Sequence, residues 1–179
     1  MNRLRVSVWV VLLSAALDAE AAVKLDPCGL LARSEIEAVQ GDRVVATKAS
    51  EPERDRFAVS QCFYTLATFS KSVSLEVTRR RPGSADSPRE HWRQMFARAL
   101  EKGKDEQEQA EPEKKTARPR RVSGVGDEAF WDGSSLGGGL LVLKGDAYFR
   151  LSVGGPDSES VKIEKLKKLS RRALSRLPA

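Results

Sequence analysis

The stretch Val122–Gly155, V-S-G-V-G-D-E-A-F-W-D-G-S-S-L-G-G-G-L-L-V-L-K-G-D-A-Y-F-R-L-S-V-G-G, decides the fold and carries most of the chain's 13 glycines. Its last part alternates. Ala147, Phe149, Leu151 and Val153 fall on one face, and Tyr148, Arg150 and Ser152 on the other, the period of a half-buried strand. Gly145-Asp146 before it suits a two-residue type II′ turn, which makes Gly139–Lys144 the partner strand of a hairpin. Glu128–Asp132 reads as a third strand, entered through a turn at Gly124–Asp127.

The same pattern occurs earlier in the chain. Ser72–Arg80 alternates, with Val73, Leu75 and Val77 on one side and Ser74, Glu76 and Thr78 on the other. Ser60–Thr68 is rich in aromatic and β-branched residues, and Phe69-Ser70-Lys71 links the two as a hairpin. Arg43–Ala49 is a further strand. Helices punctuate these runs. Ser34-x-x-Glu37 has the form of a capping box, with Ile36, Val39 and Ala38 inward and Gly41 as the stop. Ser87-Pro88-Arg89-Glu90 opens a second helix, in which Trp92, Met95, Phe96, Ala99 and Leu100 form an apolar stripe. A third helix follows Pro156-Asp157-Ser158-Glu159 and runs to about Arg176. Ile163, Leu166, Leu169, Ala173, Leu174 and Leu177 form its apolar stripe, and it sets seven basic residues against two acidic ones.

The order helix, three strands, helix, three strands, helix predicts an α+β domain over residues 22–179. Its antiparallel sheet is expected to have about six strands in two three-strand-plus-helix units, with the helices on one face. Residues 102–121, K-G-K-D-E-Q-E-Q-A-E-P-E-K-K-T-A-R-P-R-R, have no apolar repeat and read as a charged flexible loop. A solvated linker fits this run better than a nucleic-acid-binding arm.

Composition bounds the compartment. A formal charge of +6 favours anionic partners. Residues 1–21 read as a signal peptide: Arg3 and Arg5 precede the apolar run Val6–Leu17, and Ala19-Glu20-Ala21 offers small residues for cleavage. The run is short of the ~20 residues that a membrane-spanning helix needs. A soluble periplasmic or extracellular protein is expected. Cys28 and Cys62 are the only cysteines, and in an oxidising compartment they read as a disulfide. With His91 as the only histidine, they make a poor metal-ligand set.

Chemistry-bearing motifs are few. Gly124-Val125-Gly126-Asp127-Glu128-Ala129 spells G-x-G-x-x-A, but no strand precedes it and no helix follows, so a dinucleotide site is not expected. Its glycines read as turn residues with positive φ. Gly137-Gly138-Gly139 lacks the nucleophile and base of an oxyanion loop. His91, on the first turn of a capped helix, reads as a surface residue. Asp127, Glu128 and a half-exposed Trp131 at a loop mouth are the candidate ligand residues, joined by Lys168 and Arg172 on the basic helix. No catalytic residue, metal or cofactor is expected.

Asp26-Pro27-Cys28-Gly29-Leu30-Leu31, Ser34-x-x-Glu37 up to Gly41, Cys62 before an aromatic, and Gly124-x-Gly126-Asp127-Glu128-Ala129 with the Lys144-Gly145-Asp146 hairpin carry a resemblance. Together they resemble a class of bacterial exported proteins and lipoproteins bearing a domain of unknown function, best represented in actinobacteria. The resemblance implies an envelope location and a Cys28–Cys62 pair, and no activity. The chain departs from that class in lacking a lipidated cysteine and in its charged 102–121 run. The expectation is an exported, non-catalytic binding or structural module for an envelope protein, an anionic lipid or a glycan, with no nucleic acid. The alternative is a small secreted hydrolase or inhibitor using the loop around Asp127 and Trp131.

Overall fold

The structure is a computed structural model that describes residues 24–105, 119–133 and 138–178; the expected signal peptide lies outside them. In chain order the elements are α1 (Arg33–Gln40), β1 (Val44–Ser50), β2 (Phe57–Leu66), β3 (Val73–Arg80), α2 (Pro88–Asp105), β4 (Arg120–Arg121), β5 (Glu128–Asp132), β6 (Gly139–Lys144), β7 (Ala147–Val153) and α3 (Glu159–Leu174). Single 3-10 turns occupy Pro27–Leu30 and Phe69–Lys71.

The protein is α+β. Its strands form one seven-stranded antiparallel sheet in the order β1-β2-β3-β7-β6-β5-β4. This corrects the expectation of six strands in two units. β3 and β7 pair along nearly their whole length, from Val73↔Val153 to Arg79↔Ala147, and fuse the two meanders. The seventh strand comes from the charged run. Arg120 and Arg121 pair with Trp131 and Phe130, and exposed basic side chains suit a short edge strand. α2 also continues through Gly103 to Asp105, so both ends of the run expected as a loop at 102–121 belong to regular elements; residues 106–118 lie outside the described residues.

The helices do not share one face. Strand parity separates two cores. Val73, Leu75, Phe149, Leu151, Leu140, Val142, Ala129 and Trp131 join Ile36, Leu166 and Leu169 on one side. Phe130, Leu141 and Leu143 join Trp92 and Phe96 on the other. The cause is β6, whose Gly139–Leu143 are all buried. A run of consecutive apolar residues needs cover on both faces. β3 and β7 instead alternate buried and half-buried positions, so α2 covers only part of the second face.

Local signals are mostly obeyed, with one shift. Ser87 Oγ accepts the Glu90 amide at 3.2 Å and starts α2 as its N-cap. Gly41 ends α1 at φ 61°. α1, however, begins two residues early: Glu35 Oε2 accepts the Ala32 amide at 2.9 Å, while Glu37 Oε1 accepts the Val44 amide at 2.9 Å. Ser34 is therefore not the cap. Gln40, not Ala38, is the second buried residue of α1. Its amide nitrogen donates to the carbonyls of Lys71 and Gly154, and its Oε1 accepts from Lys165 Nζ at 3.1 Å. That satisfied polar group fixes α1, α3 and the ends of β3 and β7 together.

Candidate functional site

Asp127 lies in the turn that enters β5. Gly124 and Gly126 hold φ 82° and 62°, and the Asp127 amide donates to the Leu143 carbonyl at 2.8 Å. The Asp127 carboxylate accepts the Gly145 amide at 3.0 Å, Lys144 Nζ at 3.3 Å and the Arg89 guanidinium. Next to it, Asp146 accepts Ser87 Oγ at 2.6 Å, the Arg89 amide at 3.1 Å and Arg80 Nε at 2.8 Å. The Gly145 amide, ahead of Lys144 and Arg89, holds Asp127 below the usual carboxylate range. Burial works against the ionised form of Asp146, but its bonds outweigh that and lower it too. Carboxylates engaged this way clamp the β6–β7 turn to the α2 N-terminus, where the helix dipole favours negative charge.

The other sequence candidates do not converge on Asp127. Glu128 points to the α2 side and accepts Trp92 Nε1 at 3.3 Å, with Arg121 at 3.6 Å. Trp131 points to the opposite face. It is 4% exposed, not half exposed at a loop mouth, because Gly138 packs onto its ring so closely that a Cβ there would fall 1.9 Å from Cζ2. Lys168 and Arg172 sit on the exposed side of α3, Arg172 reaching Glu35 at 3.6 Å. The α3 stripe Ile163, Leu166, Leu169 and Ala173 is buried against the sheet. His91 is half-buried between the rings of Phe57 and Tyr148, at 5.2 and 6.3 Å. Among the described residues no group of three His, Cys, Asp or Glu side chains converges to hold a metal ion.

Cys28 and Cys62 form the expected disulfide, which ties the first 3-10 turn to β2. Among the described residues no helix is long and apolar enough to cross a membrane.

A different surface gathers functional groups: the part of the second sheet face that α2 leaves open. Register places Ser50, Gln61, Glu76 and Arg150 in one row across β1, β2, β3 and β7. Ser50 Oγ donates to Gln61 Oε1 at 3.3 Å, and Gln61 Nε2 donates to Glu76. Arg150 Nε donates to Asp132 at 3.1 Å. To get there it crosses Gly139, where a Cβ would lie 2.7 Å from the guanidinium carbon. The next row holds Lys48, Phe63, Ser74 and Ser152, with the two serine hydroxyls 2.7 Å apart. The hollow over these rows measures about 430 Å³. Phe63 (37% exposed), which lines it, and Phe69 (70%) hold their rings 6.2 Å apart and tilted by 47°.

None of these residues stands out in the sequence as a site. The alternation of β3 and β7 puts Ser74, Glu76, Arg150 and Ser152 on a polar face that reads as plain solvent surface. Phe63 is the available signal. Cys62 and Tyr64 face the core, so the aromatic between them faces outward on a polar side. This face carries Lys48 and Arg150 against Glu76 and Asp132, a locally balanced patch on a chain of net charge +6. Comparison of the chain with protein-family models, with curated proteins and with solved structures finds no match to any of them.

Proposed function

We propose that the protein is an exported, non-catalytic binding module of the cell envelope, and that the open half of its sheet is the ligand face. The observation that carries this reading is the pairing of an exposed aromatic, Phe63, with a hydrogen-bonded polar row on a sheet whose other face is covered by α1 and α3. Pockets that recognise ligands combine apolar surface with a few fixed polar groups, and this face has both. The disulfide agrees with an oxidising compartment. The sequence resemblance to exported envelope proteins points the same way. A catalytic reading around Asp127 and Trp131 has less support, since Trp131 is buried in the core beneath α1 and α3 and Asp127, in the turn before β5, is engaged as a clamp.

Hydroxyl-radical footprinting tests the proposal even though the ligand is unidentified. Phe63 and Phe69 should oxidise readily in the purified protein and be protected in a native envelope preparation. Val161, exposed on α3, should react equally in both. Equal oxidation of Phe63 and Phe69 in the two preparations would rule out this face as the ligand surface.

A further inference from the structure

We infer that the open face takes an uncharged oligosaccharide, a deduction that rests on that face being the ligand surface. Three features of the face lead to it. The first is aromatic geometry. Phe63 and Phe69 are tilted by 47° at 6.2 Å, so they offer two separate apolar plates to an incoming ligand. A pyranose ring has a C–H face that packs on such a plate while its hydroxyls project sideways. Here sideways leads to Gln61, Glu76 and Arg150, and to Asp132 through its ion pair with Arg150.

The second feature is the chemistry of those four groups. Gln61, Glu76, Arg150 and Asp132 are all planar and present paired donors or acceptors, the match for neighbouring hydroxyls on a sugar. They are already ordered by bonds to one another, Gln61 to Glu76 and Arg150 to Asp132. A ligand therefore meets a preorganised surface and does not have to immobilise loose side chains. From β2 to β5 the face crosses four strand steps of about 4.8 Å, about 19 Å in all, which suits a short oligomer better than a single sugar.

The third is charge. Lys48 and Arg150 are balanced by Glu76 and Asp132 on this face, although the chain as a whole is basic. An anionic lipid or acidic polymer would be drawn to unbalanced cations, and Lys168 and Arg172 lie instead on the exposed side of α3. The face is electrostatically suited to a neutral polar chain.

The test is a titration of the isotope-labelled, disulfide-bonded protein with linear hexamers of glucose and of N-acetylglucosamine, alongside a hexamer of galacturonate and phosphatidylglycerol vesicles. At least one neutral hexamer should shift the amide resonances of Phe63, Ser74, Glu76 and Arg150. Phe63→Ala should weaken that binding about tenfold, while Lys168→Glu leaves it unchanged. Phe63 is exposed, so an unchanged near-ultraviolet circular dichroism from the buried tryptophans verifies that the variant is folded. The inference is overturned if neither neutral hexamer shifts these resonances, or if only the galacturonate or the vesicles bind. If Phe63 is nonetheless protected in the envelope preparation, the glycan assignment fails and the ligand face stands. If it is not protected, both fail.

Discussion

Arg150 reaches Asp132 by passing over Gly139, and only the missing side chain of that glycine leaves it room. The atoms that a methyl at 139 would meet belong to the end of a flexible side chain, at 2.7 to 2.9 Å. Gly139→Ala should therefore push the guanidinium aside without disturbing the backbone. The half-exposed ion pair is worth little, and the added Cβ restricts the unfolded chain, so the unfolding free energy should move by less than about 1 kcal/mol. Ligand binding should fall by more than stability does. Urea unfolding and the hexasaccharide titration on the same variant check this; a large stability loss would mean that the glycine serves the fold instead of the site.

Gly126 is the opposite case. Its φ is 62°, and a Cβ would sit 2.5 Å from both the Leu143 carbonyl oxygen and Val142 Cγ1. Backbone strain and overpacking act together, so Gly126→Val should cost about 2–5 kcal/mol. Gly83 has φ 76° with open space around it, and Gly83→Ala should cost only the conformational part, about 1–2 kcal/mol. Urea unfolding of the two variants separates the contributions. Equal losses would show that the contact with β6 is unimportant.

These two glycines show how far the sequence can be read. Turn chemistry is legible because it is local: Gly126, Gly41 and the Ser87 cap each act within a few residues. The sheet order is not legible, because the β3–β7 pairing joins residues such as Val73 and Val153 that are far apart in the chain. The two-sided cover is readable in principle. Leu140-Leu141-Val142-Leu143 is a run no one-faced sheet would hold, yet it equally fits one strand of a hairpin, and that fit hides its demand for a helix on each side. Trp131 misleads because its neighbours Asp132 and Gly133 suggest a loop mouth. What buries it is Gly138 across the hairpin, a packing contact that spacing does not reveal.

The clamp between the β6–β7 turn and α2 makes stability depend on acid. Asp127 and Asp146 titrate below their ordinary 3.8 in the folded protein. A carboxylate with a depressed folded-state pKa contributes stability that is fully present above its unfolded value and lost as pH falls through the folded one. The unfolding free energy should thus decline as pH falls below about 5. Asp127→Asn should lower stability at pH 7 and flatten that decline. Urea midpoints measured across this range check it, and a decline of unchanged slope in the variant would remove Asp127 from the acid-sensitive group.

The N-terminal 3-10 turn is held covalently by the disulfide, by Tyr64 and by Arg176, whose Nη1 donates to the Leu30 carbonyl at 3.0 Å. The disulfide closes a sequence separation of 34 residues, for which the chain-entropy model gives about 3–4 kcal/mol. The Tyr64 hydroxyl, 1% exposed as a residue, lies 3.1 Å from the Cys28 carbonyl and within 3.5 Å of those of Pro27 and Leu31. Burial, reinforced by the field of Asp26, pushes its pKa up, so it remains a donor at neutral pH. Tyr64→Phe should cost about 1 kcal/mol. The bridge acts on the unfolded chain and the hydroxyl on the native turn. The losses in a Cys28→Ser, Cys62→Ser, Tyr64→Phe variant should then add to within about 0.5 kcal/mol. Chemical denaturation of the full cycle measures that sum, and amide exchange of residues 24–32 reads the turn directly. A coupling well beyond this, with those amides losing protection, would mean that the turn leaves the sheet once the bridge is cut, and that the disulfide holds native structure as well as restricting the unfolded chain.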